Sequence, residues 1–244
     1  SNRRRLHSRP DNGIYDRLIL SGMDIPESVD TQKKAQENHS KMAGTPVPSL
    51  ILSLSVSTIF TMLIATSYNI VDTYFVSDLG ESSVAAVGIM FSVMALIQAV
   101  GYTWGMGAGS EIARLLGKQK KREAEQTLAT ALAGGILSGA VMAVIFAVFR
   151  EDVVRLLGAT GTSLAPAGQY GIYIMLAAPV MCGAYVLNNA LRAEGQPYLA
   201  LLGILAGGLS NALFDYILVR VLGLGIAGAG IATLAGQGIS LAIM

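Results

Sequence analysis

From Leu50 onward the chain is a succession of six apolar runs broken by short polar turns, and apolar stretches of that length are the mark of helices that cross a bilayer. The runs are Leu50–Val76, Ser83–Ile112, Thr127–Phe149, Tyr170–Leu191, Leu199–Leu222 and Ile226–Met244. A helix needs about 20 mostly apolar residues to span the hydrocarbon core, and each run is near or above that. The third, fourth and sixth contain no Asp, Glu, Lys or Arg, a purity rare in soluble core helices. Charged residues make up 14% of the chain, well short of the roughly one quarter that a soluble domain uses to cover its surface. The expectation is an all-α membrane protein with six transmembrane helices.

Basic residues in short loops orient such a bundle. Eight lie before Leu50 (Arg3, Arg4, Arg5, Arg9, Arg17, Lys33, Lys34 and Lys41), five lie between Arg114 and Arg122, and Arg192 follows the fourth run. The opposite side keeps only Arg150, Arg155 and Arg220. The asymmetry predicts a multi-pass protein of the cell membrane, with the N-terminus and the Arg114–Arg122 loop in the cytoplasm. Residues 1–41 read as a polar, disordered cytoplasmic extension. Arg3–Arg5 are not followed by an apolar segment long enough for a signal peptide, and Asn38-His-Ser40 falls on the wrong side for glycosylation. The chain starts at Ser1 without methionine and ends at Met244 inside an apolar run, so it reads as part of a longer protein.

Several functional classes drop out at this point. Cys182 is the single cysteine and lies in an apolar run, so there is no disulfide framework and no cysteine metal site. His7 and His39 have no ligand cluster, and neither a cofactor nor a nucleic-acid partner is expected. Gly223-Leu-Gly225-Ile-Ala-Gly228 matches a dinucleotide fingerprint by letters alone. It joins two membrane runs, no strand precedes it and no acid follows it, so a tight turn is the better reading.

Ionisable groups inside a spanning helix are costly unless paired or hydrated, which makes each one a functional candidate. Glu111 lies at the end of its run, where an interfacial role suffices, and Arg220 is placed to snorkel. Asp72 and Asp215 are deeper. By helical rise Asp72 is roughly 6 Å inside its run, and Asp215 and Thr233 are each roughly 10 Å inside theirs. Asn211 is one turn from Asp215 on the same face. Two carboxylates, an amide and a hydroxyl thus come to similar depth on three helices. Such oxygens suit sodium, and buried carboxylates can equally carry a proton. The competing reading ends the first helix at Asp72 and pairs Asp215 with Arg220. Thr58, Thr61, Ala65, Tyr68 and Asp72 form a small, polar stripe expected to line a cavity. Gly101, Gly105 and Gly109 repeat at the spacing that lets membrane helices approach closely.

With these residues in view, the segment from about Met42 to Met244 resembles the N-terminal half of the multidrug and toxic compound extrusion (MATE) family. The matching segments run in order: Met42–Val47, Asn69-Ile-Val-Asp-Thr-Tyr-Phe-Val76, Gly107–Gly117, Leu191-Arg-Ala-Glu-Gly-Gln-Pro197, Asn211-Ala-Leu-Phe-Asp215 and Leu224–Thr233. The resemblance implies one six-helix lobe, residues 42–244, of a twelve-helix, two-lobe transporter. It also implies antiport, with sodium or protons moving in and cationic, amphipathic drugs moving out. The family's first-lobe cation positions match Asp72, Asn211, Asp215 and Thr233. The proline that the family usually carries in the first helix is replaced here by Ser55-Val-Ser-Thr58, which puts a bend of that helix in doubt. The alternatives are a flippase for lipid-linked oligosaccharides, a non-transporting half that partners another membrane protein, and an intramembrane aspartyl protease. The protease reading lacks a Gly-x-Gly-Asp segment at either aspartate. The choice of drug and of coupling ion stays open.

Overall fold

The computed structural model describes residues 47–244, with the side chains of residues 47–69 described in part. The predicted extension 1–41 lies outside the described residues. Six helices follow one another: α1 Val47–Ser77, α2 Glu81–Gly117, α3 Lys121–Leu156, α4 Leu164–Ala193, α5 Pro197–Asp215 and α6 Gly225–Ile243. The first four contain the first four predicted runs whole, the fifth run is shared between α5 and the stretch that follows it, and α6 covers the sixth up to Ile243. Among the described residues, five helices (α2 to α6) are long and apolar enough to cross a membrane.

Helices α2, α3 and α4 overrun their apolar stretches at both ends because polar residues continue them toward the turns. Helix α3 carries on past Phe149, whose non-helical backbone (φ −108°, ψ 25°) kinks it before the charged Arg150–Asp152 turn. Helix α5 ends at Asp215 and passes into a π-helical stretch, Tyr216–Val221. A wider turn of this kind was not legible as a pattern in Leu199–Leu222, and such turns often sit at functional positions. The α5–α6 turn then closes through Gly223 and Gly225, whose φ values of 64° and 60° favour glycine. The fingerprint letters are therefore a helix connection.

Helix α4 is the centre of the bundle and packs on α2, α3 and α6, while α5 pairs with α6 and α1 lies mainly on α5. The α2–α4 seam is close because Gly101 and Gly105 face Tyr185 and Asn189. A Cβ at Gly101 would lie 2.6 Å from Tyr185, and one at Gly105 2.8 Å from the Tyr185 carbonyl oxygen. The buried core beneath includes Met90, Ile97, Ile174 and Met181. Across the bundle, Gly207 of α5 and Gly236 of α6 cross so closely that a Cβ on Gly236 would meet Gly207 O at 2.8 Å.

Candidate functional site

The Gly207–Gly236 crossing sets the position of the polar groups one turn further along. It holds Asn211 of α5 against α6, next to Thr233. Asp215 follows Asn211 on the same face of α5, and Asp72 approaches from α1. All four side chains are sealed from solvent, with exposures of 1% for Asp72 and Asn211 and 0% for Asp215 and Thr233.

Their hydrogen bonds form two groups. With the Asn211 amide turned to match donors to acceptors, its nitrogen donates to Asp215 Oδ2 at 3.1 Å. Its oxygen accepts from the backbone N–H of Thr233, also at 3.1 Å. The Thr233 hydroxyl donates to the Ala229 carbonyl at 3.1 Å. In the second group the Tyr170 hydroxyl of α4 donates to Asp72 Oδ2 at 3.0 Å. Asp72 and Asp215 are both buried, on helices α1 and α5 that pack on one another. Each carboxylate is thus held through Oδ2, and the Oδ1 of each accepts no hydrogen bond among the described residues.

An ionised carboxylate oxygen without a donor is expensive in an apolar interior. A proton on the carboxyl or a cation between the two groups relieves that cost. The chemistry is that of hard oxygen donors, which fits sodium. Among the described residues no cluster of three or more His, Cys, Asp or Glu is gathered as a transition-metal site would require.

The structure also places the other residues singled out in the sequence. Arg220 does not reach Asp215. Its guanidinium pairs with Asp78 in the α1–α2 turn and lies 5.6 Å from the ring centres of both Tyr74 and Phe75. The alternative that neutralises Asp215 with Arg220 is thereby removed. Glu111 pairs with Arg114, three residues on, at 2.6 Å. The side chains of Thr58, Thr61 and Tyr68 lie outside the described ones. Tyr170 was missed as a site residue. It stands at the start of an apolar run, and its partner is 98 residues away, so no local pattern marks it.

Asn211 and Thr233 also form part of the wall of a cavity of about 630 Å³. Five methionines line it (Met62, Met94, Met106, Met181 and Met244), with Phe91, Tyr102 and Tyr185. Thioether side chains are flexible and polarizable, and they adapt to ligands of different outline. Asn211 thus touches both the cavity and a buried acid, Asp215, while Thr233 lines the cavity and bonds Asn211.

Comparison with known proteins agrees with this architecture. Residues 57–217 match the MatE family. The multidrug export protein MepA of Staphylococcus aureus (strain MSSA476) is 28% identical over 190 residues, which is 78% of this chain and 42% of MepA. MepA of Staphylococcus saprophyticus is 27% identical over 184 residues, covering 75% of this chain and 41% of that one. Among solved structures, a MATE protein in a bent conformation superposes with a TM-score of 0.75 at 30% identity, covering 79% of this chain and 43% of the other. A MOP-superfamily transporter of Pyrococcus furiosus gives 0.77 at 30% identity, covering 83% and 45%, and reversed polarity of its binding pocket has been taken to suggest a different function. The chain spans less than half the length of the curated relatives it matches.

Proposed function

The chain belongs to the MatE family of transporters, and on that premise we propose that it is one lobe of an ion-coupled exporter of amphipathic compounds. A family of transporters leaves no place for the protease reading of the two aspartates. The observation that carries the proposal is the pair of buried carboxylates whose Oδ1 atoms lack donors among the described residues, set against the wall of a methionine-lined cavity.

The exchange follows from that arrangement. Loading Asp72 and Asp215 with sodium or protons removes the repulsion between them and stabilises the packing of α1 against α5 and α6. Releasing the ion favours a different packing. An ion that binds one packing better than the other shifts the balance between them by its difference in affinity. Asn211 carries that shift to the cavity, because it bonds Asp215 and lines the cavity wall. The cargo is a cationic amphipath, as the family resemblance implies, and the relative MepA is a multidrug export protein. A second six-helix lobe completes the cavity in the full-length protein, and the N-terminus lies in the cytoplasm of a cell-membrane protein, as the basic loops indicate.

Ethidium efflux from pump-deficient bacteria expressing the full-length protein tests this. The intact protein exports the dye, and Asp215→Asn, which removes charge but little volume, inserts normally and does not. Dependence of the rate on sodium or on external pH identifies the ion. Normal efflux by Asp215→Asn would sink the proposed site.

A further inference from the structure

Helices α2 and α3 enclose a second recess near the turn that joins them, and it shares no lining residue with the main cavity. It is an open groove of about 610 Å³, with Glu111 and Glu123 toward its mouth and Trp104 at its far end. Glu111 and Trp104 are about 10 Å apart by helical rise. The apolar runs give way to charged residues at this turn, which places the mouth at the level of the lipid headgroups. The face of α3 that carries Thr130 and Gly134 continues through Leu137, Val141, Val144 and Val148, all exposed. The groove therefore leads from charged groups to an apolar face turned toward lipid.

Most polar atoms in its wall can only accept. Thr103, Thr127 and Thr130 donate their hydroxyls to the carbonyls four residues back, at 2.8, 2.9 and 2.8 Å. Their oxygens are left to accept. The Trp104 indole N–H donates to Ser138 Oγ at 3.0 Å. The two glutamates add acceptors, and among the described residues no Lys or Arg lines the groove. Basic groups stand just beside it. Arg114 pairs with Glu111 at 2.6 Å, and Lys120 pairs with Glu123 at 2.9 Å. These four side chains are between 37% and 63% exposed, so water screens both pairs and they open at little cost.

That arrangement selects among ligands by charge. A lone cation in the groove would strand Arg114 and Lys120, and a lone anion would strand the glutamates. A zwitterion answers both. Its ammonium meets the glutamates and its phosphate meets the two basic side chains, so no charge is left over. An ammonium that carries N–H donors also satisfies the threonine oxygens, which a trimethylammonium cannot do. We propose that the groove binds a phospholipid with a primary-amine headgroup, phosphatidylethanolamine. The headgroup lies between the two ion pairs, and an acyl chain passes Trp104 and runs along the apolar face of α3. The site needs only the bilayer and does not depend on the export reading.

Native mass spectrometry of the full-length protein, delipidated in detergent, counts bound lipid as dioleoyl phosphatidylethanolamine, phosphatidylcholine or phosphatidylglycerol is added. The ethanolamine lipid is expected to bind about tenfold tighter than the choline lipid, the scale of one charge-assisted hydrogen bond. Glu111→Gln keeps the side chain's size and brings that ratio close to one. A Cβ at Gly107 meets nothing within 4 Å, so Gly107→Leu is accommodated and its side chain fills the groove, which abolishes the preference as well. Equal binding of the ethanolamine and choline lipids to the intact protein overturns the inference. A preference that survives in either variant overturns it too, because the lipid then sits elsewhere. Tighter binding of the glycerol lipid would assign the basic turn to anionic headgroups, and displacement of the ethanolamine lipid by tetraphenylphosphonium would assign the groove to a permeant cation. Either result overturns the proposal.

Discussion

The Tyr170 hydroxyl donates to Asp72 Oδ2 at 3.0 Å and ties together two helices, α4 and α1, that otherwise hardly touch. This polar bond connects the centre of the bundle to one of the two buried acids. That acid is held from α4, and its partner Asp215 is held from within its own helix by Asn211. Motion of α1 relative to α4 must break or keep this bond.

Removing the hydroxyl with Tyr170→Phe leaves the ring's packing and takes the donor from Asp72. We expect a loss of about 1 kcal/mol, the scale of polar bonds between membrane helices. A lower thermal unfolding temperature in detergent would register it. The ion concentration giving half-maximal efflux should shift as well, because Asp72 is then free to reorient. An unchanged ion dependence would argue that the bond is structural alone.

Asn211→Leu and Thr233→Val should differ although both strip a polar group from the site. The leucine leaves Asp215 Oδ2 without its amide donor in a buried setting, a loss on the order of 1–3 kcal/mol. The valine keeps the backbone N–H that Asn211 accepts from, and it forfeits a hydroxyl whose donation goes to the neighbouring Ala229 carbonyl. Efflux normalised to expression should fall much further in the leucine variant.

Close packing around α4 predicts a third contrast. A Cβ at Gly139 would lie 2.7 Å from the Ala178 carbonyl oxygen and from Pro179 Cα, backbone atoms that cannot rotate aside. Gly139→Ala should therefore destabilise by about 1–3 kcal/mol, as overpacking does. Gly107→Ala meets nothing within 4 Å and serves as the control. Unfolding temperatures of the two in the same detergent decide the matter.

The pair between Arg220 and Asp78 joins the π-helical end of α5 to the α1–α2 turn. Both side chains are well exposed, so salt and water screen the attraction. Asp78→Asn should leave the unfolding temperature unchanged at high salt. If the contact instead holds one transport conformation, efflux by Asp78→Arg will fall and recover when Arg220→Asp is added.

Some of this could be read in the chain alone, and the division is physical. Apolar length and purity determined that the protein spans a bilayer in six helices, because the backbone's hydrogen bonds must be satisfied within each segment. Helical periodicity determined that Asn211 and Asp215 share a face, since the i, i+4 relation is local. The family segments, read in order, placed the chain among MATE-like proteins. Tertiary structure decided the rest. That Arg220 turns to Asp78 and away from Asp215, and that Tyr170 serves Asp72, depends on which helices meet and at what height. Those meetings are set by close crossings such as Gly207 on Gly236 and Gly101 on Tyr185, where shape between distant segments governs the approach. A pattern that repeats every three or four residues along one helix carries no record of what packs across from it.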